Sequence, residues 1–101
     1  MDDGGSRSAK SEKTRARELV AALAMTRAQA ISANRAIRRA TNVSTLEVER
    51  RAGTLVVSVR RPGHDGFQLL EYVVQSNGDK RLVQDAFDAA GRLVHEDIKR
   101  D

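Results

Sequence analysis

From Ser11 to Thr41 the chain contains neither glycine nor proline. Those two residues are the ones that break helices, and alanine is the residue that favours them most. Nine of the residues from Lys13 to Thr41 are alanine. The stretch therefore predicts helix, with Ser11 as N-cap, Glu12 in the first turn and Asn42 as the stop. Leu19, Leu23, Thr26, Ala30, Ala33, Ile37 and Ala40 recur in alternating steps of four and three. That places them on one face, as an apolar seam. Only small residues occupy the middle of the seam. A close helix contact fits this, and so does a break near Met25–Thr26. Unbroken, the helix would be about 43 Å long.

The charge of the chain belongs to this segment. The 101 residues carry a formal net charge of +4. Between residues 7 and 41 stand nine basic and two acidic side chains, whereas residues 42 to 101 carry nine basic and ten acidic ones. A basic segment on a nearly neutral remainder is the footprint of a polyanion binder. At about 100° per residue, Lys13, Arg17, Arg27, Arg35, Arg38 and Arg39 fall within about 120° of arc beside the seam. Val20 and Ile31 interrupt that arc, and Glu12 and Glu18 lie outside it. These six cations are the candidate nucleic-acid-binding residues.

Residues 1–10 are small and polar and read as a mobile tail. After the helix, three strands are expected. Thr45–Arg51 alternates apolar and polar, and Ala52-Gly53 is a turn. Thr54–Arg60 is a second strand, closed by Pro62-Gly63. Phe67–Gln75 is the third. Strands two and three hold apolar residues on both faces, so each face needs a cover, which favours a homodimer. In the last segment, Leu82, Val83, Ala86, Phe87, Ala90, Leu93, Val94 and Ile98 recur at three- and four-residue spacing. This predicts a second helix over residues 79–100, opened by the capping-box pattern Ser76-Asn77-Gly78-Asp79 and laced by Arg81–Asp85, Asp88–Arg92 and Glu96–Arg100. The fold class expected is α+β: helix, three-stranded antiparallel meander, helix (α-β-β-β-α), a single domain over residues 11–101.

Several chemistries are excluded. Cysteine is absent, so there is no disulfide, thiolate zinc site or cysteine nucleophile. His64 lies in a turn and His95 on a polar face, neither with a second histidine at ligand spacing. No G-x-S-x-G, H-E-x-x-H or phosphate-cradling glycine loop occurs. No enzyme activity, cofactor, metal or small-molecule substrate is expected. Three aromatics, Phe67, Tyr72 and Phe87, do not make a base-stacking platform for single strands. The start, M-D-D-G-G-S, lacks the order of a signal peptide, and the longest apolar run, Leu19 to Met25, is too short to span a bilayer. A cytoplasmic protein without a membrane segment is expected.

Two stretches carry a family resemblance. L-V-Q-D-A-F-D-A-A-G-R-L-V-H-E, Leu82 to Glu96, resembles the C-terminal helix of the YbaB/EbfC family of bacterial nucleoid-associated proteins, with Leu82, Val83, Ala86, Phe87, Ala90 and Arg92 at the matching positions. Leu46 to Val59 is similar to that family's first hairpin. The third strand here ends Y-V-V-Q-S-N-G-D where the family often has I-D-P, and the first helix has Ala and Arg where the family often has Met and Gln. The resemblance implies a homodimer that binds double-stranded DNA with little sequence preference and lies in the nucleoid. Two other readings compete. One is a double-stranded RNA-binding module, which would open its second helix with a basic cluster of which only Lys80 and Arg81 are present. The other is a small dimeric chaperone or adaptor that docks on acidic patches of a protein.

Overall fold

The computed structural model describes residues 8–100. Two helices, α1 (Ala9–Leu23) and α2 (Arg27–Arg39), precede five strands: β1 (Thr45–Arg51), β2 (Thr54–Pro62), β3 (Gly66–Val74), β4 (Lys80–Asp88) and β5 (Leu93–Arg100). The strands form one antiparallel sheet in chain order. Ala9 and Lys10, assigned above to the tail, already belong to α1, and the remainder of the expected tail, residues 1–7, lies outside the described residues.

Of the two arrangements open for the Ala-rich stretch, the break is the one found. The N-cap of α1 is Ser8, whose hydroxyl accepts from Ser11 N. The helix ends at Leu23, and Ala24 is extended. Thr26 then caps α2, its side chain accepting from Gln29 N at 3.1 Å and its hydroxyl donating to the Ser76 carbonyl. Gln29 is fully buried; its Oε1 accepts from Met25 N at 2.8 Å and its Nε2 donates to the Val74 carbonyl at 3.0 Å. Two polar side chains thus satisfy the backbone groups that the corner frees and tie it to the end of β3. Lys13 Nζ donates to the Arg38 carbonyl at 3.1 Å, so the two helices run antiparallel.

α1 lies along the outer edge of β1, and α2 packs on β2 and β3. Leu46 N donates to Glu12 Oε1 at 2.9 Å, and Arg15 Nη2 donates to the Leu46 carbonyl at 3.0 Å and to Glu12 Oε1 at 3.1 Å. At the other end of α1, Arg50 donates from Nε and Nη2 to the Leu23 carbonyl. Side chains therefore occupy backbone groups that an edge strand and a helix end would leave open. Glu12 is only 2% exposed. Its replacement by alanine would leave the Leu46 amide unpaired and Arg15 without its nearer acid, with only Glu47 at 3.8 Å remaining. The Glu12→Ala protein is expected to lose about 2 kcal/mol in urea unfolding, and Glu12→Gln, which keeps an acceptor, less.

The core lies between helices and sheet. Leu46, Val48, Leu55, Val57, Val59, Leu70 and Val74 face Ala16, Val20, Ala33, Ile37 and Ala40. On the opposite face of the sheet Val56 is also fully buried. It stands opposite Glu49 in the β1–β2 register, and Arg51 bonds Glu49 at 2.6 Å and approaches Glu71 at 3.8 Å. An ion-paired lid from the chain itself supplies part of the cover that the two-sided strands require.

The α-β-β-β-α order is corrected to α-α-β-β-β-β-β. The segment 79–100 is not a helix but the β4–β5 hairpin. The apolar residues of its first half come as adjacent pairs, Leu82-Val83 and Ala86-Phe87. A pair every four residues fits a helical stripe, but it fits a strand apolar on both faces equally well. Leu82 here packs with the helix-side core, and Phe87, five residues on and so on the other face, stacks on Phe67. The connections hold the discriminating signal. Gln75 N bonds the Asp79 carbonyl and Gly78 N the Gln75 carbonyl; Asp88 N bonds the Arg92 carbonyl and Gly91 N the Asp88 carbonyl. These are one turn used twice, with glycine at its fourth position, φ +94° and +83°. That left-handed conformation suits a hairpin loop closed by a bulge and does not occur inside a helix. Within the second turn the Asp88 carboxylate accepts from Ala90 N, Arg92 N and Arg92 Nε, bonds that hold its pKa below the usual aspartate range. In a strand, residues four apart no longer meet across a helical turn, so cross-strand neighbours replace the i, i+4 pairs. The register sets Asp85 opposite Glu96 and Arg81 opposite Arg100.

Candidate polyanion-binding face

α2 is amphipathic: one side is buried, and every charged residue on the other is cationic. Gln29, Ser32, Ala33, Ala36 and Ile37 are buried against the sheet and α1. Arg27, Arg35, Arg38 and Arg39 are exposed. On a helix of about 100° per residue these four fall within about 120° of arc. Ile31, 49% exposed, lies inside that arc. No Asp or Glu occurs between Glu18 and Glu47, so nothing in α2 or its flanks neutralises the face.

The arginines outside this helix pair are mostly engaged. Arg50, Arg51, Arg61 and Arg92 each donate a side-chain hydrogen bond, and so does Arg15 at the β1 edge. Arg60 stacks on the Phe67 ring at 3.9 Å. By contrast, among the described residues Arg17, Arg27, Arg35, Arg38 and Arg39 form no ion pair and no side-chain hydrogen bond. Arg38 and Arg39 sit in the last turn of α2, where the helix dipole favours cations. Arg27 sits in its first turn, where the dipole opposes a cation and no acidic residue compensates. The helix dipole does not account for an arginine at that position.

The six cations expected to act together divide. Arg27, Arg35, Arg38 and Arg39 share the outer face of α2. Arg17 is exposed on α1, one turn beyond Lys13 and on the same side of that helix. Lys13 is half-buried and bonded to the α2 C-terminus, so its role is to join the helices.

A second feature escaped the sequence reading. Phe67 and Phe87, twenty residues apart in sequence, stack at 4.8 Å between ring centroids, because β3 and β4 place them directly opposite each other. They line a shallow cleft with Gly63, His64, Gln68 and Val94. The pairing of strands brings these residues together, and no local pattern announces it. His64 and Asp65 approach to 3.8 Å and are almost fully exposed. Among the described residues no three His, Cys, Asp or Glu side chains are placed to hold a metal ion. No helix among them is long and apolar enough to cross a membrane.

No protein-family model matches the chain, and no curated protein or solved structure is significantly similar to it. The stretch that resembled a YbaB/EbfC C-terminal helix is the β4–β5 hairpin, so that family's fold does not carry over.

Proposed function

We propose that this protein binds double-stranded DNA with little sequence preference, as a homodimer, in the manner of a nucleoid-associated protein. The observation that carries the reading is the outer face of α2: four exposed arginines that form no ion pair among the described residues, with Arg17 exposed on the neighbouring helix α1. Arginine presents a planar fork of donors that matches phosphate oxygens, and each phosphate it neutralises releases condensed counterions. Contacts of this kind position a protein on the backbone and carry no base information. A rigid helix face suits the regular phosphate array of a duplex better than the irregular backbone of a single strand. The double-stranded RNA reading loses its residues, because Lys80 and Arg81 open β4 and not a helix. The adaptor reading has no observation of its own in its favour.

Gel shifts with random-sequence duplex DNA, duplex RNA and single-stranded DNA of equal length test the reading. Duplex DNA is expected to be shifted at low salt, with single-stranded DNA bound more weakly. Absence of binding to duplex DNA at about 50 mM salt, where phosphate contacts are strongest, would overturn it. A clear preference for duplex RNA would move the site to A-form helices.

A further inference from the structure

The two edges of the sheet differ. The β1 edge is occupied by Glu12, Arg15 and α1. Among the described residues, β5 makes its principal contacts with β4 alone. Leu93, Val94 and Ile98 of β5 are 53%, 62% and 60% exposed. A long open edge with apolar side chains is a template for another strand.

The end of β5 says which strand. It reads Glu96-Asp97-Ile98-Lys99-Arg100, two acids, an isoleucine and two bases. Such a sequence is complementary to itself in the antiparallel sense. With position 98 opposite position 98 of a second copy, position 97 falls opposite 99 and position 96 opposite 100, acid to base in every case. The register within one chain leaves a matching imbalance. Asp85 lies opposite Glu96, and like charges directly opposite each other are unfavourable. Asp85 raises the Glu96 carboxyl above its ordinary pKa through a shared hydrogen bond and its charge. Pairing about Ile98 sets a basic position of the second copy beside each acidic pair.

We infer that β5 pairs antiparallel with β5 of a second copy about Ile98, joining two five-stranded sheets into one of ten strands. Residues directly opposite in an antiparallel pair point to the same face, so both helix layers lie on one face of the joined sheet. The inference rests on the homodimer in the proposed function and not on its DNA. A monomer that binds duplex DNA would sink this pairing and leave the α2 face intact.

Light scattering of the full chain is expected to give close to twice its 11.1 kDa. Asp97→Lys and Lys99→Asp should each weaken the dimer at least about ten-fold, since each sets like charges opposite each other twice. An equimolar mixture of the two variants should recover it, because their charges are complementary, and recovery also shows that both are folded. The chain has no cysteine, so Ile98→Cys provides a unique thiol. Opposed Cα atoms about 4.5 to 5.5 Å apart suit a disulfide, and Ile98→Cys should cross-link on mild oxidation. Val94→Cys should not, since positions 94 of the two copies would lie about 26 Å apart. A monomeric mass, or a dimer in which Ile98→Cys links no faster than Val94→Cys, would overturn the inference, whether another surface or another partner accounts for the open edge.

Discussion

Replacing Gly66 by alanine is expected to lower the melting temperature by more than 10 °C. A Cβ at this position would stand 2.1 Å from the Phe87 carbonyl oxygen, 2.6 Å from Asp88 C and 2.7 Å from Asp88 O. All three atoms belong to the backbone of β4, so no rotamer change relieves the overlap. Gly66 opposes Asp88 in the β3–β4 register. The strands would have to part at that end, and the disturbance would reach two further features. Phe87 would leave its stack on Phe67, and Asp88 would no longer hold the turn that joins β4 to β5. Overpacking of this kind costs about 3 kcal/mol, and for a domain near 100 residues that is about 12 to 24 °C. Differential scanning calorimetry of the variant gives the answer. A melting temperature within a few degrees of the parent would mean that β3 and β4 do not meet in this register.

That example also shows which parts of the fold a single sequence makes legible. The helices were legible because their signal is local: thirty-one residues without glycine or proline, rich in alanine. The break between them was open, since Thr26 and Gln29 act through Ser76 and Val74, fifty and forty-five residues away. The first three strands were legible through alternation and turn residues. The last two were misread because Leu82-Val83 and Ala86-Phe87 satisfy both periods. The glycines could have decided it. Gly53, Gly66, Gly78 and Gly91, with Gly63 also standing between the first two, are spaced at twelve or thirteen residues, a rhythm of strand and turn that a helix over 79–100 breaks. Glu12 read as a first-turn acid, and only the third dimension shows it bonded to the edge of β1. Of the cationic set, the α2 members were legible because helix periodicity alone brings them together. The structural use of Lys13 was not, since it depends on where α2 ends.

The second large effect concerns the surface proposed to bind DNA. The Arg35→Ala, Arg38→Ala, Arg39→Ala triple variant is expected to bind random duplex DNA two to three orders of magnitude more weakly at low salt. All three side chains are exposed and unpaired among the described residues, so the fold should survive. The loss of favourable dipole contacts in the last turn costs about 0.3 to 1 kcal/mol per cation, partly offset by the helix propensity of alanine. Circular dichroism and thermal unfolding check this. Ile31 lies among the same arginines, yet Ile31→Ala should leave the salt dependence unchanged, since it removes no charge.

The salt dependence of binding tests the central claim most directly. If one protomer of the dimer meets the duplex and its Arg17, Arg27, Arg35, Arg38 and Arg39 each neutralise one phosphate, log K against log salt has a slope of about −4.5, and affinity falls about 500-fold between 50 and 200 mM. For the triple variant the slope becomes about −1.8, and the same change of salt costs only about ten-fold. Those two slopes, measured by fluorescence anisotropy on one random duplex, are the result expected. A folded triple variant with the slope of the parent would place the phosphate contacts elsewhere and contradict the α2 face as the binding surface.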